Sequence, residues 1–178
     1  MAAQPDVLIS AAGEVVALRG HDGRLTVLKS GNNDTLAVGD WLNADGDGRP
    51  ATDRALAQGF ACDPDGCAGR LADGAIVAVA RSPAALADDC ARAALVVTPR
   101  PPPPGCAAMV VDRRALRGTG ALALFHRDGN FDVVATRPNG LDRPWARRHA
   151  PAETRPAPGS AARPAPDATP PPDTDAEE

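Results

Sequence analysis

Short apolar runs separated by Asp-Gly turns recur along most of this chain. Residues 7–10 (VLIS), 14–19 (EVVALR) and 24–28 (RLTVL) are three such runs. His21-Asp22-Gly23 lies between the second and third and signals a tight turn, so the three predict a β-hairpin or meander. Residues 35–43 place Leu36, Val38, Trp41 and Leu42 where a short helix or turn would pack on the sheet. A turn-rich loop then separates Cys62 from Cys67. Residues 69–71 and 75–80 (AIVAVA) flank Asp73-Gly74 and predict a second hairpin. A third is predicted where residues 121–125 (ALALF) and 131–136 (FDVVAT) flank a turn spanning His126, Asp128, Gly129 and Asn130.

Between those hairpins the pattern changes to an α/β rhythm. Ser82 can cap a helix, and Pro83 suits its first turn, where a missing N–H costs nothing. Leu86 and Cys90 then share one helix face. Residues 94–98 (ALVVT) and 107–111 (AAMVV) read as buried strands. The prolines between them, Pro99 and Pro101 to Pro104, exclude both a helix and a central strand. Asp112, Arg113 and Arg114 stand at the end of the second strand and begin a short helix. The predicted class is α/β, mixed and largely antiparallel, β-rich, with few short helices.

Composition adds a boundary. The chain has 178 residues, net charge −4 and no Tyr, so its core must be built mainly from Ala, Val and Leu. Residues 149–178 hold six acids against Arg155 and Arg163, net −4, which leaves residues 1–148 neutral. A neutral body gives no bulk field for capturing nucleic acid. The same 149–178 stretch has eight prolines and no Leu, Ile, Val, Phe or Met. It cannot bury enough apolar surface to offset ordering entropy, so it is expected to be a disordered tail behind a domain at 1–148. Residues 140–148, anchored by Trp145, are expected to lie along the body. No apolar run approaches the roughly 18–20 residues of a membrane span, and the first ten residues lack a signal-peptide pattern. Taken as complete, the chain would be cytoplasmic.

Few residues have the spacing that chemistry requires. Cys62 and Cys67, and Cys90 and Cys106, fit two disulfides better than a zinc knuckle, and four reduced cysteines serving as small apolar residues are the remaining reading. Asp45-Gly-Asp47-Gly-Arg49 resembles the start of a calcium loop but places Arg49 where a third acid belongs, so a plain Asp/Gly turn is expected. His21, His126 and His149 form no metal-binding pattern and are expected to be solvated. Serine-nucleophile and phosphate-loop signatures are missing too. Asp112-Arg113-Arg114 is the best polar cluster. An internal salt bridge is favoured there, with Asp88 and Asp89 across the sheet edge as candidate partners, over a phosphate site.

Several blocks, in order over about residues 14–146, resemble the C-terminal region of the ComEC family of DNA-internalisation competence proteins in its alphaproteobacterial form. They are Trp41-Leu42 with Asp45-Gly-Asp47-Gly-Arg49, Phe60-Ala-Cys62-Asp-x-x-Gly-Cys67, and Leu86-Ala-Asp-Asp89-Cys90 before Ala94 to Val97. Cys106-Ala-Ala-x-Val110-Val111-Asp112-Arg113-x-x-Leu116 and Arg143-Pro144-Trp145 complete the set. The resemblance implies a partial metallo-β-lactamase-like sandwich belonging to a longer inner-membrane protein that passes single-stranded DNA into the cytosol, with this domain on the periplasmic side. In metal-competent members a His-His-Gly-Ser segment follows the strand equivalent to 94–98; here Pro99 and Arg100 follow, so no catalytic or metal-binding residue is carried over.

The expected function is therefore a non-catalytic C-terminal domain, or a fragment, of a competence protein. No cofactor and no small-molecule substrate are expected. Its partners would be the membrane-channel portion of the full-length protein and single-stranded DNA, with Arg113, Arg114 and Arg117 as candidate DNA contacts. The alternatives are a metal-dependent nuclease or hydrolase domain and a disulfide-stabilised periplasmic binding module.

Overall fold

Every residue of Val15–Arg19 is buried, as is every residue of Leu95–Thr98. A strand buried on both faces needs a layer above and a layer below, and that requirement organises the fold. The computed structural model describes residues 3–31 and 35–137, within the compact unit Met1–Leu141. The expected tail at 149–178 and the expected extension at 140–148 lie outside the described residues.

One sheet runs β1 (Val7–Ile9), β2 (Val15–Arg19), β3 (Leu25–Lys29), with β9 (Leu122–Arg127) and β10 (Asn130–Ala135) added at the β1 side. Its order is β10-β9-β1-β2-β3, and every pairing is antiparallel. The second sheet has the order β4 (Phe60–Cys62), β5 (Gly66–Arg70), β6 (Ile76–Ala80), β7 (Leu95–Thr98), β8 (Met109–Asp112). Its first three strands are antiparallel and its last three parallel. The segment 60–67, expected as a loop, is instead a hairpin in which Cys62 and Cys67 are directly opposite. Asp63 makes that turn possible, because its carboxylate accepts the N–H groups of Asp65 and Gly66.

The sheets face each other across the main core. Val7, Ile9, Val16, Leu18, Leu122 and Leu124 from the first meet Cys67, Val77, Val79, Leu95, Val97 and Val111 from the second. Helix α1 (Thr35–Ala44) covers the outer face of the first sheet, setting Val38 and Leu42 on Val15, Ala17, Leu25 and Val27. Helix α2 (Pro83–Arg92) covers the outer face of the second, setting Leu86 and Cys90 on Ala78, Ala80 and Val96. Helix, sheet, sheet, helix is the resulting order of layers. The β6 residues under α2, Ala78 and Ala80, are small, which suits a chain short of aromatics. Ser82 caps α2 by accepting the Ala85 N–H, and Pro83 occupies its first turn.

Two connections stand apart from the hairpins. Helix α3 (Arg113–Thr119) joins β8 to β9, and its Leu116 enters the main core. Residues 99–108 join the parallel strands β7 and β8 without a helix. An extended proline segment spans the return distance in few residues, and the Cys90–Cys106 disulfide ties it to α2.

Candidate functional site

The parallel strands β6 and β7 end side by side at Ala80 and Thr98. In open parallel arrangements the carboxyl ends of strands are where crevices form. A cleft of about 290 Å³ opens there. Its floor is Val79, Ala80, Val97 and Leu116, and its polar lining is Glu14, Ser30, Arg81, Thr98 and Arg113. The volume suits one small group rather than a large ligand.

Each polar residue is set there by its own element. Arg81 is the first residue after β6; one of its guanidinium nitrogens lies 3.6 Å from Cys67 Sγ. Thr98 is buried at the end of β7, and its hydroxyl oxygen accepts the Arg100 N–H at 3.3 Å. Arg113 is the first residue of α3. Gly13 lets the chain pass this end of the sandwich, with φ +73° and the position of an added Cβ only 2.9 Å from Leu116 Cδ1.

Among the described residues the salt bridge expected around Asp112 is absent. Asp112 instead caps α3, its carboxylate accepting the Ala115 N–H at 2.7 Å. An acceptor held by a helix N-terminus leaves the arginines after it unpaired. Asp88 and Asp89 lie on α2 and, among the described residues, form no salt bridge with them. Burial, with Asp88 and Asp63 nearby, pushes the Asp89 carboxyl above its ordinary value. Arg113, Arg114 and Arg117 are all exposed and sit at helix spacings i, i+1 and i+4, so they form one continuous patch. Among the described residues no carboxylate pairs with any of the three. Sequence reasoning misses the cleft's other polar members, Glu14, Ser30, Arg81 and Thr98. For Arg81 and Thr98 the available signal is a polar residue closing each apolar run of a parallel pair.

The four cysteines form two disulfides, Cys62–Cys67 and Cys90–Cys106, and no described cysteine is free. The Asp45–Arg49 turn is an ion-pair site. Arg19 reaches Asp45 with two bonds of 2.7 and 3.0 Å, and both side chains are about nine-tenths buried. Asp47 accepts from Arg49 and Arg24, and the Arg49 guanidinium holds its carboxyl far below the ordinary value. The same contact raises Arg49. The acids that suggested calcium are therefore occupied by guanidinium groups. Among the described residues no group of three His, Cys, Asp or Glu side chains converges to hold a metal ion.

His126 is not a solvated turn residue. It lies on β9, its side chain is 8% exposed, and its ring packs against Phe131 at 4.6 Å. Nδ1 is hydrogen-bonded to Asp73 in the β5–β6 turn, so the pair pins one sheet to the other. Hydrogen bonds from the Ala75 N–H and from His126 keep the Asp73 carboxyl below its ordinary value.

Among the described residues no helix is long and apolar enough to cross a membrane. Compared with protein-family models, with curated proteins and with solved structures, the chain matches none.

Proposed function

We propose that this chain is the non-catalytic C-terminal domain, or a fragment, of a ComEC-type protein for uptake of single-stranded DNA, with a degenerate metallo-β-lactamase-like sandwich. The observation that carries the reading is the unpaired arginine patch on α3, Arg113, Arg114 and Arg117, of which Arg113 lines the cleft. Guanidinium groups without carboxylate partners are free to take phosphates in two-pronged hydrogen bonds. In a body with no net charge, such contacts hold a strand by local pairing with its phosphates and add no long-range attraction. The helix–sheet–sheet–helix layering supports the fold assignment. Two disulfides support a place in an oxidising compartment, the periplasmic face of the inner membrane. The same disulfides favour the second reading, a periplasmic binding module that never meets DNA.

The test is fluorescence anisotropy with a labelled single-stranded oligonucleotide at low salt, with magnesium or manganese added in parallel samples. The reading expects binding that the triple variant Arg113→Ala, Arg114→Ala, Arg117→Ala loses, and an oligonucleotide that stays intact. No binding by the oxidised wild type would favour the binding module. Metal-dependent cleavage would favour the nuclease.

A further inference from the structure

We propose that residues 100–104, Arg-Pro-Pro-Pro-Pro, are a docking strap for a partner domain that reads polyproline through an aromatic-lined groove. Each proline ring fixes φ near about −65°. A residue that precedes proline is driven into the extended region, and this applies to Arg100, Pro101, Pro102 and Pro103 in turn. Pro101, Pro102 and Pro103 are therefore held extended, in the polyproline II region with about three residues per turn, between a bend at Arg100 and the turn at Pro104 and Gly105. Pro101 and Pro104 fall on one ridge and are exposed, as are Pro102 and Arg100, whereas Pro103 is half-buried.

Both ends of the strap are fixed. The Arg100 N–H donates to the Thr98 hydroxyl, and Arg100 Nε reaches the Arg81 carbonyl. At the far end the Cys106 N–H donates to the Pro103 carbonyl, Gly105 turns the chain at φ +77°, and Cys106 is disulfide-bonded to α2. A surface already held in its bound shape loses little entropy on binding.

The strap also offers unmatched groups. Among the described residues no donor reaches the carbonyls of Arg100, Pro101 or Pro102, and no carboxylate pairs with Arg100. The complementary partner supplies aromatic slots for the proline rings, hydroxyl or indole donors for the carbonyls, and an acid for Arg100. Joining β7 to β8 requires an extended chain but no exposed run of prolines, so the crossover alone does not account for the sequence. This inference is independent of the DNA reading.

The experiment titrates the isotope-labelled, oxidised full chain with three purified probes, an SH3-type, a WW-type and an EVH1-type domain, and follows amide shifts. At least one probe is expected to bind and to shift Thr98, Arg100, Gly105 and Cys106. Pro101→Ala with Pro104→Ala, and separately Arg100→Ala, are each expected to weaken it about tenfold, as loss of an interface anchor does. Failure of all three probes overturns the proposal. So do shifts confined to the prolines' neighbours in 149–178, or undiminished binding by the Pro101/Pro104 variant. If that variant does not fold, the wild-type shift map and Arg100→Ala decide.

Discussion

Asp45→Ala removes the acid from the most buried ion pair among the described residues. Arg19 would keep two acceptors, the Pro5 carbonyl at 3.0 Å and the Gly23 carbonyl at 2.7 Å, but would lose both bonds to Asp45. Its charge would then sit about nine-tenths buried with no counter-charge. Removing one partner of a buried pair costs about 3–5 kcal/mol. The surviving carbonyl bonds and the residual exposure place this case near the lower end, about 3 kcal/mol. Asp45→Asn keeps the shape and one acceptor, and should cost about 2 kcal/mol. Arg19→Ala with Asp45→Ala should cost clearly less than the two single changes together, because their loss is shared. Urea unfolding of the oxidised chain measures every variant against wild type, and a drop of about 3 kcal/mol corresponds to roughly 10 °C in Tm. The same melts run with calcium should be unchanged. A cost below about 1 kcal/mol for Asp45→Ala would refute the buried-pair reasoning. Calcium stabilisation that Asp45→Ala abolishes would show the turn to be a cation site instead.

Other expectations rest on single contacts. Replacing Cys90 and Cys106 by Ala should cost about 3 kcal/mol, and replacing Cys62 and Cys67 about 2 kcal/mol, since the closed loops differ in separation (16 against 5); equal costs in urea melts would contradict the loop-entropy argument. Gly13→Ala should destabilise by about 1–2 kcal/mol, because φ is positive and the new methyl meets Leu116, whereas Gly23→Ala meets no neighbouring atom and should lose only the backbone contribution; the two melts side by side check this. Asp47 has its folded carboxyl depressed, so its stabilisation is full above the ordinary carboxylate pKa and is lost as pH falls through and below it. The acid limb of a pH–stability curve should therefore be shallower for Asp47→Asn, and an unchanged limb would sink the assignment.

The sequence makes its local features readable and hides its long-range ones. Helix α2 is legible because Ser82, Pro83, Leu86 and Cys90 report on one another within a few residues. The strands at 95–98, 109–112 and 122–127 are legible as apolar runs bounded by prolines, Asp112 and an Asp-Gly turn. The cleft is not, because Glu14, Arg81, Thr98 and Arg113 come from four separated segments, and it takes the parallel pairings of β6, β7 and β8 and the packing of the two sheets to bring them together. His126 is hidden for the same reason. Its partner Asp73 is 53 residues away, and turn chemistry at Asp128-Gly129 suggests a turn that begins two residues early. Asp112 shows a local competition, since an acid just before a helix can cap it or pair with the arginines after it, and the cap wins.

The most direct test of the functional account is the salt dependence of single-stranded DNA binding, wild type against the Arg113/Arg114/Arg117 triple alanine variant. Each phosphate neutralised on a single strand contributes about 0.7 to the log–log slope. Three arginine contacts predict that the variant's slope is shallower by about 2, with weaker binding at every salt concentration. Equal slopes and equal affinities would contradict the account, for they would mean that the patch on α3 does not touch DNA.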